Sequence, residues 1–143
     1  MIIFHQEDVE FSFDQIVEFT KWIQAIVTNE NCNLTQLTYI FCSDKYLHQL
    51  NVEYLDHDTL TDVITFPYAA PPQVEGDIFI STERIAENAA TFQTSFLHEL
   101  ARVMIHGVLH LCGYGDKTES EQQTMRAKEN AALQLTQQYN INL

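Results

Sequence analysis

A chain of 143 residues fits one domain, since a single core typically organises about 100 to 200 residues. With 45% apolar and 11% aromatic residues, four glycines and three prolines, it has the composition of a packed globule and not of a disordered segment. Seven basic against 20 acidic residues give a formal charge of −13, which argues against adhesion to nucleic acid through a broad basic surface, because affinity for a phosphate backbone comes mainly from Lys and Arg displacing counterions.

In chain order, Ile2 to His5 reads as a short strand. A helix comes next over about Phe13 to Val27, opened by Ser12 with Gln15 three residues on, the pattern of a capping box. A strand over about Gln36 to Cys42 leads into a helix with Ser43 as N-cap and Tyr46, Leu47, Leu50 and Tyr54 as its apolar face. Two β-branched and aromatic runs, Asp62 to Phe66 and Asp77 to Ser81, flank a loop from Tyr68 to Gly76 that contains Pro71 and Pro72. The second half is helical: Thr82 to Phe92, Ser95 to Cys112, and Thr118 to Tyr139, the last opened by a Thr118/Glu121 capping box. The expected fold is a single α+β domain, a small mixed four-stranded sheet packed against about five helices. The Ser95–Cys112 helix is apolar on nearly all sides, which marks it as central and buried.

The start, Met1 to Asp8, lacks a basic flank, an apolar segment and a small-residue cleavage site. No apolar stretch approaches the roughly 18 residues that span a bilayer. Cys32, Cys42 and Cys112 are odd in number with no C-x-x-C pair, so neither a disulfide framework nor a thiolate zinc knuckle is encoded, and each reads as a small buried residue. These features lead us to expect a soluble cytoplasmic protein with no membrane partner.

Histidines on a buried apolar helix need a reason. His106 and His110 are four residues apart, so on a helix their rings share one face and can grip one ion. The spacing alone favours a hydrogen-bonded pair of core histidines over ligands. The residues after His110 favour ligands: Gly113 and Gly115 stop the helix and permit a turn back toward it, delivering Asp116 as a third ligand and leaving a fourth position for water. The expected cofactor is one Zn²⁺, used for hydrolysis.

The segment HGVLHLCGYGD at 106–116 resembles the H-G-x-L-H-L-x-G-Y-D-H signature of the bacterial YbeY family of rRNA maturation factors. NVEYLDHDTLTDVITFP at 51–67 is similar to that family's N-x-x-Y-R-x-x-D-x-x-T-D-V-L-S-F-P block, and GDIFIS at 76–81 to its G-D-I-x-I-S strand. The resemblance implies a single-strand-specific, zinc-dependent endoribonuclease that matures the 3′ end of the small-subunit rRNA and acts in ribosome quality control. It implies ribosomal RNA and the small ribosomal subunit as partners, not DNA. With so acidic a chain, a ribosomal protein or an assembly GTPase would supply the basic surface, and isolated RNA should bind weakly.

Two positions depart from the pattern. Asp116 stands where the family usually has a third histidine, Gly115 replacing its aspartate, and Leu55 stands where it has an arginine that handles the phosphate. Positive charge for a phosphoryl transition state would then come from the ion or from Arg84, Arg102, Lys45 or Lys117. Arg102 and Glu99 fall near the ligand face of the helix, either supporting the ligands or closing an ion pair. Asp56, His57 and Asp58 read as a solvated turn. His5, His48 and His98 read as ordinary residues, and Asp62 and Asp77 as groups that fix loop geometry. Tyr68 and Tyr114 are candidate stacking platforms for unpaired bases.

Two rival functions are open. A zincin-like metalloprotease would need H-E-x-x-H, but Gly107 comes directly after the first histidine here. A non-catalytic ribosome-assembly or docking factor would use the zinc structurally, which usually takes four protein ligands, whereas motif spacing offers three.

Overall fold

The computed structural model describes residues 1–56 and 61–143. His57 and Asp58 of the anticipated solvated turn lie outside the described residues. Four strands, β1 (Ile2–Gln6), β2 (Asn33–Cys42), β3 (Val63–Pro67) and β4 (Gln73–Ser81), form one mixed sheet in the order β1-β2-β4-β3. β2 runs parallel to both β1 and β4, and β3 pairs antiparallel with β4. Parallel neighbours need a crossover, and α1 (Ile16–Asn29) provides it between β1 and β2. β4 begins four residues earlier than Asp77, so the proline loop is shorter than its composition suggests.

The strands sort their side chains with period two. Leu37, Tyr39 and Phe41 of β2, with Ile78 and Ile80 of β4, point into the main core. That core also takes Phe19, Trp22 and Ile23 of α1 and the apolar body of α4 (Phe96–Leu111). Cys42, Ile64, Phe66 and Phe79 face the other way, onto Leu47, Tyr46 and Leu50 of α2 (Asp44–Leu55). α3 (Thr82–Phe92) and α5 (Glu119–Gln134) flank α4.

Helix ends obey local chemistry in most cases. Ser43, Ser95 and Thr118 each accept from the backbone N–H three residues on, and Thr118 with Glu121 completes the capping box. Ser12 does not cap α1. Its hydroxyl donates to Asp14 at 3.1 Å, and the helix starts later, after Gln15, without a side-chain cap. The last helix also differs from expectation: α5 stops at Gln134 and a 3₁₀ turn takes Thr136–Tyr139.

α4 is the element that places the chemistry. Ten of its 16 residues are buried, and its backbone is tied to β2 by the Tyr39 hydroxyl, which donates to the Met104 carbonyl at 3.0 Å. Gly107 lets the helix lie close on the sheet: a Cβ there would sit 2.7 Å from Ile78 Cδ1 and 3.1 Å from Thr65 Oγ1.

Candidate metal centre

One face of α4 turns His106 and His110 toward the edge of the core. Beyond His110 the helix closes with two bonds, Gly113 N–H to the His110 carbonyl at 3.0 Å and Tyr114 N–H to the Leu109 carbonyl at 3.0 Å, with Gly113 at φ 111°. This is the Schellman arrangement, in which the residue after the cap is left-handed and glycine meets no Cβ penalty. Gly113 alone of the two turn glycines has positive φ. Gly115 instead leaves room for a cap, since a Cβ there would meet Glu121 Oε2 at 2.5 Å.

The turn returns Asp116 to the histidines. His106 Nε2 and His110 Nε2 are 3.0 Å apart, His110 Nε2 and Asp116 Oδ2 3.2 Å, and His106 Nε2 and Asp116 Oδ2 3.4 Å. The other ring nitrogens are engaged elsewhere: His106 Nδ1 with Glu129 Oε2 at 2.7 Å and His110 Nδ1 with the Tyr114 carbonyl at 2.8 Å. Both of those partners accept, so each Nδ1 carries the hydrogen and each neutral ring presents a lone pair at Nε2.

Three electron-rich atoms therefore face one another within hydrogen-bond distance. They repel unless a cation or a proton lies among them. Atoms bound tetrahedrally at about 2.0–2.2 Å stand roughly 3.3–3.5 Å apart, close to the observed triangle. His106, His110 and Asp116 could thus hold one metal ion. Their side chains keep 23, 28 and 42% exposure, so the site opens to solvent.

Glu129, from α5, is the residue that local sequence reasoning did not find. It is buried, and it bridges His106 and Arg102, whose guanidinium donates to Oε1 at 2.9 Å and to Asn130 Oδ1 at 2.9 Å. A carboxylate on the far nitrogen of a ligating histidine fixes tautomer and ring orientation. Burial acts against charge on both members of the pair. The hydrogen bond and opposite charge outweigh it, holding His106 above and Glu129 below their ordinary ranges.

Of the two readings open for Arg102, it forms an ion pair, with Glu129 of α5, and through that carboxylate it also stands behind His106, while Glu99 is buried on the same helix. Arg84 is spent on Asp44, at 2.8 Å, and on Glu87. Leu55 does border the cleft of His106, His110 and Asp116, together with Lys117. Neither Tyr68 nor Tyr114 lines the clefts that His106 borders: their hydroxyls donate to Asp77 and Glu30.

A profile of the family described as Endoribonuclease YbeY matches residues 1–137. The protein of that name from Flavobacterium johnsoniae is 49% identical over 133 residues, covering 93% of this chain and 95% of its own. The one from Amoebophilus asiaticus is 52% identical over 130 residues, covering 90% and 88%. The solution structure of TM1509 from Thermotoga maritima matches with a TM-score of 0.70 at 28% identity, over 95% of this chain and 89% of that one. With a family match across almost its whole length, close relatives on both measures and the same fold, the chain belongs to the YbeY family.

Proposed function

We propose that this chain is a single-strand-specific, zinc-dependent endoribonuclease that matures the 3′ end of the small-subunit rRNA and takes part in ribosome quality control. The observation that carries the reading is the triangle of Nε2, Nε2 and Oδ2 at 3.0–3.4 Å, with both histidines locked in the ligating tautomer. The activity accords with the relatives' name, Endoribonuclease YbeY. A nitrogen and oxygen donor set of this size suits Zn²⁺.

When bound, such an ion supplies Lewis acidity, making a water easier to deprotonate and offsetting charge on phosphoryl oxygens. The chain's own residues do the rest. His106, His110 and Asp116 hold the ion, and Glu129 and the Tyr114 carbonyl orient the two rings. Lys117 lines the same cleft as Leu55 and brings the positive charge that a leucine cannot. A cleft open to solvent admits an extended strand more readily than a duplex, which supports selectivity for unpaired RNA.

The rival readings fare worse on geometry. A zincin's general base would occupy position 107, where a Cβ would sit 2.7 Å from Ile78 Cδ1 at the sheet, too close for any side chain. A structural ion would be closed by four ligands, but three donors converge among the described residues and remain partly exposed. Ribosomal partners, reached through a ribosomal protein or an assembly GTPase, fit a chain with net charge −13. The test is cleavage of an unpaired RNA with zinc present, comparing the native chain with His110→Ala of verified fold. Loss of at least about a hundredfold in rate is expected, and equal cleavage by both would overturn the reading.

A further inference from the structure

On the α3 side of His106 lies a cavity of about 430 Å³ between α3, α4, α5 and the start of β3. Its polar groups are poorly served. Glu99 stands on its wall and is only 5% exposed. Thr94 Oγ1 and His98 Nδ1 also line the cavity, buried and without a partner. Unsatisfied buried polar groups are costly, so a wall carrying two of them is suited to a ligand with donors and acceptors of its own. At the rim stands Phe92, 62% exposed at the end of α3, in no ring contact with another aromatic among the described residues.

We propose that this cavity receives one unpaired nucleobase of the RNA, stacked against Phe92 with its hydrogen-bonding edge toward Glu99. The proposal rests on the ribonuclease reading, since His106 belongs both to the metal triad and to the cavity wall and so sets the base beside the phosphate to be cut. A phosphate does not suit the same space. Asp62, Glu99 and Glu129 all line it, and the two arginines there, Arg102 and Arg126, already face Glu129 at 2.9 and 3.5 Å. A base is neutral, and every base has a π-face for an aromatic ring, which makes such a site tolerant of sequence.

The test is a fluorescence-anisotropy titration of the zinc-supplemented protein. Its probes are a short unstructured RNA and a ribose-phosphate chain of the same length with no bases, and cleavage of the RNA is monitored in parallel. Phe92→Ala is expected to weaken binding of the RNA about tenfold, the usual scale of one lost base–aromatic stack, and to leave binding of the abasic chain unchanged. Glu99→Gln should weaken the RNA alone as well. Binding of the RNA by both variants within twofold of the native chain would overturn the pocket, and so would an equal loss on the abasic chain. If the binding differences appear and the native protein cuts no RNA, the nuclease reading fails and the pocket stands. If it cuts RNA and neither variant affects binding, the pocket alone is wrong.

Discussion

Replacing Glu129 by Gln should separate the orientation of His106 from its presence. The carboxylate accepts on both sides, from His106 Nδ1 at 2.7 Å and from the Arg102 guanidinium at 2.9 Å. An amide has one oxygen. If that oxygen keeps the His106 hydrogen, its NH₂ group faces a guanidinium, donor against donor; if it turns, His106 loses its acceptor. The imidazole tautomer is thus retained only at the expense of the α4–α5 link. Losing a hydrogen bond to a charged group costs about 1.5–3 kcal/mol, moderated here because Arg102 keeps Asn130 at 2.9 Å. For a chain of this length the drop in Tm should be roughly 3–10 °C. Zinc affinity should fall about 10–100-fold, as is usual when the partner behind a ligating histidine is changed, or about 1.4–2.7 kcal/mol. Competition against a chromophoric chelator measures the zinc affinity, and thermal denaturation of the metal-free protein the stability. A variant that bound zinc within twofold of the native chain and melted at the same temperature would show that Glu129 does not position His106.

Two more outcomes are expected from particular residues. An anionic ligand leaves a bound ion with less net positive charge than three imidazoles would, so Asp116→His should move the acidic limb of the pH–rate profile to lower pH; superimposable profiles at matched zinc occupancy would contradict that electrostatic account. Burial first, then the charges of Asp8, Asp44 and Glu7, push the Cys42 thiol up to about 12, so in the native state it should resist alkylation at pH 8. The stability linked to that raised pKa is complete below the unfolded thiol's value of about 8.5 and is lost as pH climbs toward 12. Native-state labelling of Cys42 at the rate seen in denaturant would refute this.

Much of the site was legible because it is local. The i, i+4 spacing of His106 and His110, the glycine that ends their helix and the aspartate six residues past His110 all act within about three turns of chain, where helix geometry dictates who meets whom. The Ser43 and Thr118 caps were equally readable. Ser12 had the same residue type in the same pattern, yet it pairs with Asp14, because short polar side chains choose among several nearby backbone and side-chain partners and tertiary entry angles decide between them. α5 likewise ends before its periodicity does: Thr136 is buried with its hydroxyl on the Leu133 carbonyl, in a 3₁₀ turn that Ile141 packs behind.

By itself, the sequence determined the element types, the central apolar helix and the convergence of His106, His110 and Asp116, since each depends on periodicity or on a turn. Only the tertiary structure decided the sheet order, the place of Glu129 behind His106, and the cavity where Glu99 and Phe92 meet. Glu129 lies 23 residues from His106 along the chain. It reaches the ring because α5 packs back across α4, helped by Trp22, whose indole N–H donates to the Ala132 carbonyl at 2.9 Å. Nothing in the local spacing of charges encodes that return: burial of apolar area sets which helices touch, and the polar partners are those the packing happens to bring into reach.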